Sequence, residues 1–246
     1  MKKPLILLSN DDGIEAPGIR ALEEAVSEFG EIMVIAPAEE QSAKSHSITV
    51  RRPIRVERLA PNRIAIHGTP ADCVLLAMRG FLERKPDLVI SGVNYGLNLG
   101  SDVIYSGTVA AAREAAIMGV PAFAVSIDAF SGGEIHWDTA THYARRLVRL
   151  WMDGGIEFKL LNINVPNLPL SQVKGVRFVR LGNMRYRNPI EKLDESTFMI
   201  KGEPIKDMTE DTDVCAVYSG YVSCTPLIME LTDFEWLEKY GSRITL

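Results

Sequence analysis

Leu5-Ile6-Leu7-Leu8-Ser9-Asn10-Asp11-Asp12-Gly13 decides the fold. The apolar run is too short for a helix and does not alternate, so it reads as a strand buried on both faces of a parallel sheet, and the polar residues end it. From Gly18 the spacing Ile19, Leu22, Ala25, Val26, Phe29 lays the apolar residues along one side of a helix, with Gly30 placed at its C-terminus. Ile32 to Ala36 then repeats the buried-strand pattern. Strand, helix and strand in this order make a βαβ unit, whose right-handed crossover brings both strand C-termini to one edge of the sheet.

Working outward, the same grammar recurs. Leu88-Val89-Ile90, Pro121 to Ile127 and Lys159 to Val165 read as further buried strands, separated by helices over Gly107–Met118 and Asp138–Trp151. Ile48 to Leu59 and Arg63 to His67 alternate with β-branched residues and predict an antiparallel excursion. A helix is expected over Pro70–Leu82, its apolar face formed by Ala71, Val74, Leu75 and Met78. Beyond Pro166 the helical period fades, and Val176–Arg180, Thr197–Ile200 and Asp213–Ser223 read as strands or hairpins. Tyr218–Thr225 is expected to be an exposed hairpin within reach of a neighbouring subunit. The prediction is an α/β fold, a Rossmann-like, doubly wound, mostly parallel sheet with a β-rich C-terminal appendage. Residues 1–170 would form the core and 171–246 an oligomerisation segment, although the composition shift is gradual enough to fit one domain.

With 246 residues and 46% hydrophobic content the chain can bury a sizeable core, and its scattered Gly and Pro exclude repeat and low-complexity classes. Its 32 acidic residues are interleaved with 27 basic ones, so no extended positive field attracts a polyanion, and no stable nucleic-acid partner is expected. Cys73, Cys215 and Cys224 are odd in number and lack C-x-x-C spacing, which fits buried thiols in a reducing compartment. The run after Met1-Lys2-Lys3 is too short for a signal-peptide core, and no apolar stretch is long enough for a membrane span. A cytoplasmic protein without a membrane partner is expected.

In open α/β sheets ligands bind beyond the strand C-termini where the strand order reverses. That rule selects Ser9–Gly13, Glu39–Ser47 and Ser91–Thr108. Asp11 and Asp12 are adjacent carboxylates with no local Lys or Arg, an arrangement that by itself suits a polar turn or helix cap and that, at a switch point, favours a hard divalent cation. Ser91-Gly92-Val93-Asn94-Tyr95-Gly96-Leu97-Asn98-Leu99-Gly100 combines glycines that permit close backbone approach with neutral amide oxygens. Ser106-Gly107-Thr108 opens a helix whose N–H groups can hold a phosphate. Its spacing fits neither a dinucleotide fingerprint nor a P-loop.

Ser9-Asn10-Asp11-Asp12-Gly13-Ile14, Ala16-Pro17-Gly18-Ile19, Gln41-Ser42, His46-Ser47-Ile48-Thr49, Gly68-Thr69-Pro70-Ala71-Asp72-Cys73, Ser91-Gly92-Val93-Asn94 and Tyr105-Ser106-Gly107-Thr108, taken in order, resemble the SurE family of metal-dependent 5′/3′-nucleotidases. The likeness continues through Asn162-Ile163-Asn164-Val165-Pro166 and Gly220-Tyr221-Val222-Ser223. It implies a phosphomonoesterase that hydrolyses nucleoside 5′-monophosphates, with 3′-monophosphates left open, using one divalent ion, Mg²⁺ or Mn²⁺. It also implies metal ligands Asp11, Asp12, Ser42 and Asn94, the two aspartates being catalytic, and substrate contacts from Asn94, Ser106, Gly107 and Thr108. A homodimer or homotetramer with exchanged C-terminal segments is implied as well. Tyr95, where many members carry a basic residue, and Ala43-Lys44 depart from the pattern.

Ser106 and Thr108 are expected to act on the phosphate rather than merely cap a helix. His46 is open between donating to a phosphate and a structural hydrogen bond. His67, His136 and His142, Arg145, Arg146 and Arg149 read as structural or solvated, Asp72 as compensation for a helix dipole, and Arg185-Tyr186-Arg187 as a solvated surface or an oligomer rim. A receiver module would need a phospho-acceptor Asp after Ile90, where Ser91, Gly92 and Asn94 stand, and a haloacid-dehalogenase phosphatase needs D-x-D spacing. A non-catalytic nucleotide-binding module remains compatible with these loops.

Overall fold

In the computed structural model, which describes residues 3–241, the first βαβ unit is built as its sequence pattern requires. β1 (Leu5–Ser9) is fully buried, α1 (Pro17–Val26) follows with Pro17 in its first turn, and β2 (Glu31–Pro37) pairs parallel to β1. The chain then forms β3 (Val56–Ala60), β4 (Arg63–Ile66), α2 (Pro70–Leu76), β5 (Leu88–Tyr95), α3 (Gly107–Ile117), β6 (Ala122–Ile127), α4 (Trp137–Met152) and β7 (Leu160–Val165). After β7 come β8 (Val176–Phe178), β9 (Arg185–Arg187), β10 (Ile190–Lys192), β11 (Phe198–Ile200), β12 (Glu203–Ile205), α5 (Asp213–Tyr218), β13 (Val222–Pro226) and α6 (Phe234–Tyr240).

Nine of these strands form one sheet in the order β3-β4-β2-β1-β5-β6-β7-β13-β8. The neighbours from β4 to β7 are parallel, whereas β3 and β13 run antiparallel to β4 and β7. Winding leaves β1 toward β2 on one side and resumes at β5 on the other, so the reversal lies between β1 and β5. Alternate residues of each strand feed opposite layers. Ile6, Leu8, Leu88 and Ile90 pack with α1 and α4, while Leu7, Ile35 and Val89 pack with α2 and α3. Burial on both faces explains why β1 and β5 read as unbroken apolar runs.

The excursion before β3 is shorter than its β-branched pattern predicts. Ile48–Arg55 forms no strand; its start is held by the Asp72 carboxylate, which accepts from the Thr49 amide and hydroxyl at 2.8 and 2.7 Å. The helix expected over Pro70–Leu82 is α-helical only to Leu76, then widens into a π-helical turn over Ala77–Phe81, with the Leu82 amide donating to the Ala77 carbonyl.

Two expectations for the C-terminal part are corrected. Asp213–Ser223 is not a hairpin: α5 starts at Thr212, whose hydroxyl accepts from the Cys215 amide, and buries Val214 and Val217 on one side. Its Val and Cys residues simulate strand propensity, and tertiary burial overrides it. Nor does Tyr218–Thr225 project toward a neighbour, because β13 is an interior strand between β7 and β8, with Val222 and Cys224 buried. The projecting part is instead an arm, in which β9 pairs with β12 and β10 with β11, all antiparallel. Among the described residues no helix is long and apolar enough to cross a membrane.

One close approach fixes the α1 face of the sheet at the reversal point. A Cβ on Gly18 would lie 1.9 Å from the Val93 carbonyl oxygen, so only glycine lets α1 press against the end of β5. Gly18→Ala is therefore expected to cost about 2–3 kcal/mol, seen as a melting temperature lower by several degrees. Gly80→Ala, where an added Cβ meets nothing within 4 Å, should be neutral or slightly stabilising in the same thermal scan.

Candidate active site

The three loops selected at the strand ends are tied to one another by backbone and side-chain hydrogen bonds. The Gln41 amide donates to the Asp11 carbonyl at 2.7 Å, joining the β1 and β2 loops. The Tyr95 amide donates to Asp12 Oδ2 at 3.0 Å, joining the ends of β1 and β5. The Ser45 amide reaches the Tyr105 carbonyl at 2.9 Å, joining the β2 loop to the entry of α3. Asp11, Asp12, Asn94 and the Ser106–Thr108 segment therefore come together at the reversal point, and Ser42 follows the residue that grips Asp11.

Asp11 is the most constrained member. It is 5% exposed, and its Oδ1 accepts from the Thr108 hydroxyl. A Cβ on Gly107 would stand 2.8 Å from Asp11 Oδ2, so the glycine serves the approach of α3 to this carboxylate. Burial lifts the Asp11 carboxyl from 3.8 to about 6, the Asp12 charge adds to the rise, and the Thr108 donors oppose it. Asp12, half-buried, is also raised, first by burial and then by Glu40, with the Tyr95 amide opposing.

Neither aspartate is ion-paired to Lys or Arg among the described residues, and no group of three His, Cys, Asp or Glu side chains assembles there. A divalent ion would draw on the two carboxylates and on neutral oxygens. Asn94 is suitably placed, since its Nδ2 donates to the Gly96 carbonyl at 2.7 Å and leaves Oδ1 unengaged. Ser42 is exposed and donates to Glu40 Oε1 at 2.6 Å. An uncompensated pair of carboxylates, one buried and one half-buried, edged by amide and hydroxyl oxygens fits a hard divalent cation.

Several other residues find structural partners. Ser106 is the N-cap of α3, its Oγ accepting from the Val109 amide at 3.0 Å, so it does cap the helix. His46 Nε2 lies 2.8 Å from Glu114 Oε2 on α3, which gives it the structural bond left open above. Asp72 completes a capping box with Thr69, and His67 pairs with Glu57. Arg145 and Arg149 pair with Glu28. Tyr186 donates from its hydroxyl to Asp102, so Arg185-Tyr186-Arg187 is joined to the β5 loop rather than merely solvated. Asn98 is the residue the sequence undervalued: its carbonyl accepts from Asn162 and Asn164 at 2.8 and 3.0 Å, and its amide donates to Asn164 Oδ1 at 2.7 Å. The two asparagines on an otherwise apolar β7 were the available signal.

The model of the family described as Survival protein SurE matches residues 6–188. The chain belongs to the SurE family. A 5′-nucleotidase SurE from Aeromonas hydrophila subsp. hydrophila is 44% identical, over 98% of each chain. The crystal structure of a SurE protein from Aquifex aeolicus superposes with a TM-score of 0.86 at 37% identity, covering 97% of this chain and 99% of the other. The loops joined at Asp11 and Asp12 thus belong to a fold shared along nearly the whole length with SurE proteins.

In this SurE chain the raised Asp11 carboxyl has a measurable consequence. Folded Asp11 holds its proton up to about 6 whereas the ordinary value is 3.8, so the metal-free protein loses stability as pH rises through that interval. Asp11→Asn keeps an oxygen to accept from Thr108 and removes the charge. In the presence of chelator it should be more stable than the parent by roughly 1–3 kcal/mol at neutral pH, the advantage closing near pH 4, as read by urea unfolding at both pH values.

Proposed function

We propose that the chain is a divalent-metal-dependent phosphomonoesterase that releases phosphate from nucleoside 5′-monophosphates. The observation that carries this reading is the uncompensated Asp11–Asp12 pair at the entry of α3, in a chain 44% identical to a 5′-nucleotidase SurE. Asp11, Asp12, Ser42 and Asn94 would hold one Mg²⁺ or Mn²⁺. When bound, such an ion polarises a phosphoryl oxygen and makes water a stronger nucleophile near neutral pH.

The protein's own residues supply the remainder. Thr108 fixes the Asp11 carboxylate through its hydroxyl, so that ligand is oriented before any substrate arrives. Asp12 has Oδ2 held by the Tyr95 amide, which leaves Oδ1 for the cation. Ser106 Oγ accepts from Val109 and keeps its own hydrogen for a phosphoryl oxygen. The Gly107 amide, at the positive end of α3, and Asn94 complete the phosphate contacts. Thr108, expected to act on the phosphate, instead has its hydroxyl and amide engaged by Asp11 and acts through that carboxylate.

Assembly and location extend the proposal. The arm and C-terminal segment expose Ile200 at 88%, Ile228 at 83% and Leu231 at 98%, apolar surface that a homodimer or homotetramer would cover. Residues 1–170 would then carry the chemistry and 171–246 the assembly contacts. Three free cysteines fit a reducing cytoplasm.

Phosphate release from a panel of nucleoside 5′- and 3′-monophosphates and sugar phosphates, with and without chelator, tests the function. Activity is expected to vanish on chelation and return with Mg²⁺ or Mn²⁺, and Asp12→Asn should lower kcat/KM at least about a hundredfold. Full turnover after exhaustive chelation, or nucleotide binding without hydrolysis under any metal, would sink it. Ser106→Ala removes a cap as well as a phosphate donor, so it should lose about 0.5–2 kcal/mol of stability and at least about tenfold in kcat/KM. Normal turnover in a less stable Ser106→Ala protein would restrict this hydroxyl to capping.

A further inference from the structure

A crevice of about 500 Å³ opens beside the site, between the loop after β5, the loop after β6 and the base of the arm. Its volume lies in the range of small-molecule sites, about 300–1,000 Å³. Leu97, Phe130, Tyr186 and Tyr218 provide flat and apolar walls, and Asp102 and Asp128 provide carboxylates. Tyr95 connects it to the chemistry. The Tyr95 amide holds Asp12, and its ring meets the Phe130 ring edge-on at 5.2 Å between centroids. Phe130 packs at one edge on Tyr95 and Gly96 and is otherwise 78% exposed, an aromatic face turned to solvent.

The charges in the crevice select what can enter. Two carboxylates face one lysine, Lys206, so a second phosphate group is repelled while a neutral group rich in hydrogen-bond donors is favoured. Burial holds both carboxyls above the ordinary range, with Lys206 opposing at Asp128 and the Tyr186 hydroxyl opposing at Asp102. Aromatic planes of this kind stack on any nucleobase. We propose that the crevice is the nucleoside subsite, placing the base against Phe130 and the ribose hydroxyls or base amino groups on Asp102 and Asp128. This rests on the nucleotidase reading for the position of the phosphate, and it gives the β9–β12 part of the arm a role in substrate recognition.

Phe130→Ala and Asp128→Ala test the subsite, the former at an exposed position where folding is secure. The ratio of kcat/KM for adenosine 5′-monophosphate to that for p-nitrophenyl phosphate should fall at least about tenfold in each, mainly through the nucleotide KM. Adenosine, which carries no phosphate, should bind the parent protein by calorimetric titration and bind at least about tenfold more weakly to Phe130→Ala. An unchanged ratio in both variants, or equal adenosine binding by parent and Phe130→Ala, would overturn the assignment. If the parent cleaves p-nitrophenyl phosphate with no preference for nucleotides, the nucleotidase reading fails. The adenosine titration then decides the crevice alone: binding weakened by Phe130→Ala supports it, and no binding refutes it.

Discussion

A buried carboxylate with no cation beside it organises this molecule. Asp11 sits 5% exposed just beyond the end of β1, and its negative charge is met by the Thr108 hydroxyl and by backbone amides alone. Such a group is costly in a folded protein unless it is protonated or bound to something positive. The surroundings are arranged around it. Gly107 lacks a side chain so that α3 can approach, the Gln41 amide holds its carbonyl, and Asp12 follows on the open side.

Sheet topology determines why the loops meet at this point. Because winding reverses between β1 and β5, the connections that follow these strands diverge above the sheet and leave room between them. Gly18 and Gly92 shape one wall of that room: a Cβ would collide with the Val93 carbonyl in the first case and with the Val125 carbonyl in the second. The His46–Glu114 pair and the Ser45–Tyr105 hydrogen bond then fasten the β2 loop to the α3 side. Ser42 is carried on a loop anchored at both ends, which suits its proposed role beside Asp11 without burying it.

How much of this could be read from the residues depends on whether the signal was local. The βαβ start, the buried β5 and the polar loops after each strand follow from unbroken apolar runs and what ends them, and these locate Asp11, Asp12 and Asn94 at one edge. Asp213–Ser223 was misread because Val214, Ala216 and Tyr218 alternate like a strand, while the deciding fact is the burial of Val214 and Val217 against Leu99, far away in sequence. The Thr212-Asp213 start was the overlooked cap signal. Ser106 illustrates a different gap: one hydroxyl can cap and bind at once, so a contest between those roles cannot be settled by residue type. The Asn98 network and the Phe130 crevice were invisible for a simpler reason, since both depend on segments that meet only in the folded chain.

Donor saturation separates the structural buried carboxylates from the reactive one. Asp213 is fully buried and accepts from the Gly100, Gly182 and Val214 amides at 2.8, 2.7 and 2.9 Å. Asp72 likewise receives the Thr49 amide and hydroxyl and the Thr69 amide. Each charge is spread over three donors, and each group joins distant segments: Asp72 the β2 loop to α2, Asp213 the β5 loop to the base of the arm. Asp11 has one hydrogen bond of this geometry, from the Thr108 hydroxyl, and its neighbour Asp12 adds like charge. A carboxylate satisfied by three fixed N–H or O–H groups has little capacity left for a ligand, whereas one that is under-supplied keeps its affinity for a cation. By that measure two buried aspartates, Asp72 and Asp213, build the scaffold, and one pair, buried Asp11 with half-buried Asp12, lacks a positive charge that has to come from outside the chain.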